Sequence, residues 1–490
     1  MNIRKNLNII KVGKYFAFSG VLLFAVMQGC KKDTDNPYRV VNDWILETME
    51  YVYYWNDNIP SDNNKSLKPD DYFNSLLYRG DRFSWIQDNF LELIESLSGV
   101  STEAGYEFNL PLMPDDVNII GYIAYIKPGT PAEATVLKRG DYFLTVNNKQ
   151  LTINNYTTLM QEMTKPHSLG VAVIQGEEIT GLKNVQLSSV IENYAENPIL
   201  LDSVYNIPDK KIGYFVYNFF ARDSKMSGIE YEKELNNLFG KFIDEGIDEL
   251  IIDLRYNSGG TVVTAEALAS MISNRSTTDV FGYEEYNSYV SSELEREMGK
   301  DYNVSYFPDH IDNVQNNTIR ERVSINKLSG MDRVYLIVSE QTASASELII
   351  NCLKPYMDVI LIGWTTVGKN VGALIIYEDD PVKQRTNKWG MLPIVSKFSN
   401  SLKQSNYANG FEPDVWVHES EELVMKPLGD IDELLLHTTL KEILGPAFSS
   451  TSSGNRGANP LVTRGKPRII GSSIDRNPAR KNMFVDLQRR

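Results

Sequence analysis

Apolar positions in residues 40–94 follow a helical period. Val41, Ile45, Met49 and Val52 recur at intervals of four, four and three, flanked by Trp44, Tyr51 and Trp55. The run breaks at residues 56–60. Pro69-Asp70-Asp71 then opens a second helix carrying Phe73, Leu76 and Leu77, and residues 90–97 make a third. From 99 to 187 the pattern shortens to strands, the clearest being residues 118–126 and 142–147, with a turn and a short helix expected at Pro128-Gly129-Thr130-Pro131-Ala132-Glu133-Ala134. Residues 205–445 alternate buried strands with amphipathic helices. Strands are expected at 212–217, 250–254, 334–338 and 359–362, and Tyr231, Leu235, Leu238 and Phe242 line one helix face. A polar stretch rich in Tyr and Asn, residues 274–332, interrupts this pattern.

Length and composition sharpen the picture. A chain of 490 residues is too long for one hydrophobic core, and 42% apolar content fits globular folding. A net charge of −15 argues against nucleic acid as a partner. The tail from Ser449 departs in composition: it is rich in Ser, Gly, Asn and Pro, basic, and without period, so residues 449–490 are expected to be disordered. At the other end Arg4, Lys5, Lys11 and Lys14 precede an apolar run at residues 15–27, the layout of an export signal and short for a membrane span. Val26-Met27-Gln28-Gly29-Cys30 resembles a bacterial lipobox. That resemblance implies lipidation of Cys30 and anchoring in the cell envelope, at the outer membrane. Cys352, the other cysteine, falls in an apolar helix pattern that suits a buried thiol.

The string Ile126-Lys127-Pro128-Gly129-Thr130-Pro131-Ala132-Glu133, continuing through Leu137-Lys138-Arg139-Gly140-Asp141, resembles a PDZ domain. In that family a strand edge and a loop of backbone N–H groups capture a peptide C-terminus by strand addition. The resemblance places the loop at Gly105, Tyr106 and Phe108, with Glu107 an unusual neighbour for a carboxylate.

The strongest chemical signal is Thr342-Ala343-Ser344-Ala345-Ser346-Glu347-Leu348, between a strand and a helix. A turn there lifts a hydroxyl into the open beside the unpaired N–H groups of a helix start. The same residues also fit a capping box, S-x-x-E. A nucleophilic serine needs a base, and none of the four histidines lies in a suitable motif. Lys369, in Val367-Gly368-Lys369, follows the next strand, so both loops should meet at one sheet edge. A lysine serves as a base only where burial depresses its pKa.

Taken together, these motifs resemble the carboxyl-terminal-processing, or tail-specific, serine peptidases related to the tricorn core. The resemblance implies Ser344 as nucleophile and Lys369 as base, separated by the 25 residues usual in that family. It also implies an oxyanion hole from Gly259 or Gly260 of Asp253-Leu254-Arg255-Tyr256-Asn257-Ser258-Gly259-Gly260, with Ala345 as second donor. The expected architecture is multidomain α+β: a signal peptide (1–30), an N-terminal helical domain (31–98), a PDZ-like β domain (99–190) and an α/β peptidase core of the crotonase/ClpP-like kind (205–445). Two departures stand out. Ala373 occupies the place of a glutamine that orients the base, for which Asn370 is a substitute, and an expected acidic partner falls at Pro355, near Asp358. No metal motif or phosphate-binding loop appears, and no cofactor is implied. The expected function is an endopeptidase that holds protein C-termini. Two alternatives stay open: a non-catalytic peptide- or ligand-binding lipoprotein of the same fold, and an envelope scaffold tethered by its basic tail.

Overall fold

The computed structural model describes residues 36–175, 178–207, 209–225, 228–315, 318–448 and 468–476. The described residues begin with three helices: α1 (Arg39–Val52), α2 (Pro69–Leu76, with the expected Pro at its start) and α3 (Phe90–Leu97). Val41, Ile45 and Met49 point inward as their spacing requires. They do not close a core of their own, however. The same cluster contains Val371, Ala373, Met391, Leu392 and Ile394, and the strand Trp85–Gln87 pairs with Gly390–Leu392. The helical segment thus shares one apolar cluster with the core.

The β domain comprises β1 (Tyr106–Pro111), β2 (Gly121–Ile126), β3 (Tyr142–Val146), α4 (Tyr156–Glu162), β4 (His167–Gln175) and β5 (Glu178–Leu187), antiparallel in that strand order. Residues 128–136 form successive turns instead of the expected short helix. Their carbonyls bond to N–H groups three residues on, as in Glu133 to Thr130 and Thr135 to Ala132.

The core sheet contains β6 (Ile199–Ile207), β7 (Lys210–Tyr217), β8 (Glu249–Asp253), β10 (Arg333–Val338), β11 (Asp358–Gly363) and a short edge strand, β13 (Val415–Trp416), in that spatial order. All pairs except β6–β7 are parallel. Side chains alternate, and both faces are buried. Leu250, Ile252, Leu336 and Val338 face α5 (Glu230–Glu245), α6 (Val262–Ser273) and α7 (Ala345–Leu353). Ile251, Tyr335 and Ile337 face α8 (Leu434–Leu444). The polar stretch 274–332 is largely structured: β9 (Val280–Tyr286) pairs with β12 (Ile394–Asn400), and a hairpin joins residues 310–315 to 318–324.

The tail expectation fails in part. Ile469–Ser472 forms β14, an antiparallel edge strand on β1, followed by the 3₁₀ turn Ser473–Arg476. The basic, Ser-rich composition of the whole segment conceals a short run with Ile469, Ile470 and Ile474, and β1 offers an open row of backbone groups to receive it. The rest of the tail and Cys30 lie outside the described residues. No described helix is long and apolar enough to cross a membrane.

Candidate active site

The loops that carry the candidate chemistry leave the C-terminal ends of β8, β10 and β11, neighbours in the parallel sheet, and therefore converge on one edge. Ser344 caps α7 with φ 64° and ψ −114°, a backbone conformation that a serine adopts only when its surroundings force it. The forcing group is Glu347. Its Oε2 accepts the Ser344 N–H (2.9 Å) and the Lys369 N–H (2.7 Å), while Oε1 accepts the Gly368 N–H (2.6 Å) and the Thr366 hydroxyl (2.5 Å). One buried carboxylate therefore fastens the serine loop to the lysine loop, and a Val367 N–H to Thr342 carbonyl bond (3.0 Å) adds a second stitch. The capping-box reading is right as far as it goes. Glu347 answers its helix start, but most of its bonds go elsewhere. The Ser344 hydroxyl sits at the α7 N-terminus too loosely for a normal hydrogen bond, and among the described residues it has no such partner. Burial pushes the Glu347 carboxyl above its ordinary pKa, opposed by the donors it receives.

Lys369 is wholly buried, and that burial pulls its pKa down from 10.5 to about 7, against the upward pull of Asp81 and Glu347. Its Nζ lies 4.9 Å from the centre of the Phe83 ring. Asp81 and Phe83 belong to the N-terminal helical segment, and sequence reasoning missed both. Asp81 is fixed by the Tyr53 hydroxyl (2.8 Å) and the N–H groups of Phe83 and Ser84 (both 2.9 Å). Arg82 donates to the carbonyls of Gly368 (2.8 Å) and Ala408 (3.1 Å). The strap 81–84 thus roofs the lysine and excludes water from it. The only signal in the sequence was a Gly- and charge-rich break, Arg79-Gly80-Asp81-Arg82, between helical patterns.

Of the two glycines expected at the oxyanion hole, Gly259 is the one packed against Ser344. A Cβ on Gly259 would fall 2.6 Å from Ser344 Cβ and 3.0 Å from its Oγ, so the glycine backbone abuts the hydroxyl. Its φ of 111° suits glycine. The Gly259 N–H, however, already donates to Asn257 Oδ1 at 2.9 Å. Gly260 is held against the Phe220 carbonyl, and Ala345 is the first residue of α7, where backbone N–H groups lack intrahelical acceptors. The Asn370 side-chain amide donates to Ser405 O and Oγ (2.9 and 3.1 Å). Asp358 is excluded by topology: it begins β11, the strand whose other end, Gly363, faces the site.

At the β domain, Gly105, Tyr106 and Phe108 stand at the start of β1. Gly105 has φ 104° and packs face-on against Thr130, Tyr106 is buried with its hydroxyl 2.7 Å from His167 Nε2, and Phe108 sits in the domain core. The surrounding charge is acidic. Buried Lys127 is shared by Glu103 (2.9 Å), Glu107 (2.6 Å) and Glu196 (3.0 Å). Three carboxylates around one ammonium oppose a fourth, so a free C-terminal carboxylate is poorly matched here.

A buried charge network couples the β domain to the core. Arg139 pairs with Glu419 (2.9 Å) and Glu433 (3.1 Å) and donates to the Tyr256 hydroxyl (2.5 Å). Arg255 pairs with Asp253 (2.7 Å) and Glu433 (2.6 Å), and Tyr256 and Tyr122 both donate to Glu419. The two arginines hold the Glu419 carboxyl down to about 2 although burial alone would raise it. Gln341, three residues before Ser344, bonds Asn109 of β1. No three side chains of the metal-ligating kinds converge on an ion-sized site among the described residues.

Residues 211–417 match the model of peptidase family S41, and residues 40–85 match the peptidase S41 N-terminal domain, the segment that carries most of the lysine roof's scaffold. Over these segments the chain is similar to the models of peptidase family S41. Among individual relatives, a Staphylococcus aureus protein named "Probable CtpA-like serine protease" is 24% identical over 251 residues, half of this chain. The chain spans only 40% of that relative's length. Among solved structures, a Bacteroides fragilis protein bearing an S41 protease designation superposes with a TM-score of 0.63 at 23% identity, covering 82% of this chain and 97% of the other. At that identity the likeness shows the fold alone.

Proposed function

We propose that the protein is a serine endopeptidase acting through a Ser344–Lys369 dyad on exported protein substrates. The observation that carries this reading is the Glu347 carboxylate, one oxygen of which binds the N–H groups of both residues. Ser344 Oγ attacks the peptide carbonyl carbon and its proton passes to the neutral Lys369 amine. The oxyanion is received by the N–H groups of Gly260 and Ala345. Lys369 returns the proton to the leaving nitrogen as the C–N bond breaks, and water activated by the same amine then hydrolyses the acyl-enzyme. A pKa of about 7 leaves a large share of Lys369 neutral at physiological pH, as this role needs.

Substrate docking is assigned to the β domain, read as PDZ-like, by strand addition along β1. The expectation of a captured C-terminus is modified by the acidic surroundings of Lys127, which favour an extended segment carrying a cation near Glu103 and Glu107. Export and lipid anchoring at Cys30 complete the proposal, supported by the basic and apolar leader. Replacing Cys30 with Ser should release the protein from the membrane fraction, and retention there would count against the anchor. The wholly enclosed Ser344 and Lys369 favour one second reading, a peptide-binding lipoprotein without catalysis.

Digestion of an unstructured protein by the wild type, Ser344→Ala and Lys369→Ala separates these readings. Cleavage lost in both folded variants supports the dyad. An inert wild type that still binds peptides supports the binding module.

A further inference from the structure

The edge assigned to substrate is already filled. β14 lies antiparallel on β1, with Ile469 opposite Pro111, Gly471 opposite Leu110 and Ser472 opposite Asn109, and the Leu112 N–H donates to the Arg468 carbonyl at 2.9 Å. Ile470 packs on the domain core, as does Tyr156 of α4, and a Cβ on Gly471 would stand 3.2 Å from the Tyr156 ring. The strand therefore sits between β1 and α4, the position an added peptide strand takes.

Its C-terminal end is fitted to the acidic corner. The Phe108 N–H donates to Ser473 Oγ at 3.1 Å, and the same hydroxyl bonds Glu107. Asp475 turns back to accept the Ser472 N–H at 2.7 Å. The Arg476 guanidinium lies 5.2 Å over the Phe108 ring and 3.8 Å from Glu103 Oε2, adding a cation where three carboxylates share Lys127. Backbone pairing, apolar contact and charge all match, and the chain continues beyond this corner instead of ending in it.

We propose that residues 469–476 are a built-in competitor, a strand of the chain's own tail that an extended, arginine-bearing substrate segment must displace from β1 before cleavage. This rests on the reading of β1 as the docking edge. Because the strand is tethered to the core, its effective concentration at the edge is on the order of millimolar, so it excludes weaker segments and yields to well-matched ones. Contacts from β1 to the nucleophile loop, through Asn109 and Gln341, lie directly under the exchanged strand.

The test uses the full chain with Ser344→Ala, so that the probe survives, and a fluorescent peptide of sequence RIIGSSIDR, the segment 468–476 itself. Gly471→Trp, which collides with Tyr156, and Arg476→Glu, which sets a carboxylate against Glu103, each release the tail. Both should bind the probe at least about tenfold more tightly than the parent. A probe with Glu for its last Arg should bind several-fold more weakly than the original. Equal probe affinity in the parent and both variants overturns the proposal, as does a charge-reversed probe that binds undiminished. In parallel, the same tail variants with Ser344 intact should digest an unstructured protein several-fold faster than the wild type. If probe binding rises as expected but no form cleaves, the peptidase reading fails and the competitor stands. If the wild type cleaves and releasing the tail changes neither readout, the competitor fails and the peptidase stands.

Discussion

Replacing Lys369 with Met should make the protein more stable and inactive, and the gain in stability should depend on pH in a defined way. Methionine keeps the length of the apolar stem and removes the ammonium. Burial lowers the Lys369 pKa from 10.5 to about 7. The folded state thus binds fewer protons than the unfolded chain between those values, so wild-type stability rises with pH through that window, by about 1.4 kcal/mol per unit. Below pH 7 the lysine is charged in both states and the full penalty applies, about 5 kcal/mol as an upper bound. At pH 9 roughly 2 kcal/mol of it remains. Imperfect repacking takes back about 1 kcal/mol at either pH. Lys369→Met should therefore exceed the wild type by about 3–4 kcal/mol at pH 6 and by about 1 kcal/mol at pH 9. Urea unfolding at the two pH values, followed by tryptophan fluorescence, measures the difference directly. A gap that is the same at both values, or a variant less stable at pH 6, would refute the claim that Lys369 is held neutral by burial.

Phe83→Ala should admit water to Lys369 and raise its pKa toward 10.5. The acid limb of the kcat/KM–pH profile, expected near 7, should then move to higher pH, and an unmoved limb would show that the roof does not set the lysine's protonation. Glu347→Gln puts an amide N–H₂ where one carboxylate oxygen now accepts two bonds, so donors face donors. We expect at least about a tenfold fall in kcat and a loss of about 2–3 kcal/mol in stability, measured by single-turnover kinetics and denaturation. Gly259→Ala places a methyl group 2.6 Å from Ser344 Cβ at a φ of 111°, and labelling of Ser344 by a fluorophosphonate probe should fall below detection. Normal labelling there would show that the serine loop has room to move away.

Parts of the chain that repeat at short period were legible before any fold was known. Helices α1, α2 and α3 and the core strands β7, β8, β10 and β11 follow from the apolar pattern, because each buries a regular stripe or a face, whereas the outer strands β6 and β13 were not read. The loops of Ser344 and Lys369 could be placed together because they follow β10 and β11, neighbours whose parallel pairing brings their ends to one edge. What escaped was set by contacts remote in sequence. Glu347 was visible as a helix cap, but nothing near it announces that its oxygens also reach Thr366, Gly368 and Lys369. Asp81 and Phe83 act on Lys369 from nearly 300 positions away and belong to no periodic pattern. The strand at residues 469–472 was lost in the composition of its surroundings, since pairing depends on an edge that the sequence does not display.

The shared arginine–carboxylate network also decides how the protein can be re-engineered. A β domain joined only by linkers could be exchanged like a cassette, giving the same catalytic core a new docking preference. Here Arg139 and Tyr122 would leave with the module while Glu419 and Glu433 stayed behind in the core. Stripping partners from buried carboxylates costs about 3–5 kcal/mol, a large fraction of a typical domain's stability. A chimera that carries a foreign β domain must therefore bring its own guanidinium to the position of Arg139. Alternatively it must replace Glu419 together with Tyr256, so that Arg255 is not left to balance Asp253, Glu419 and Glu433 by itself.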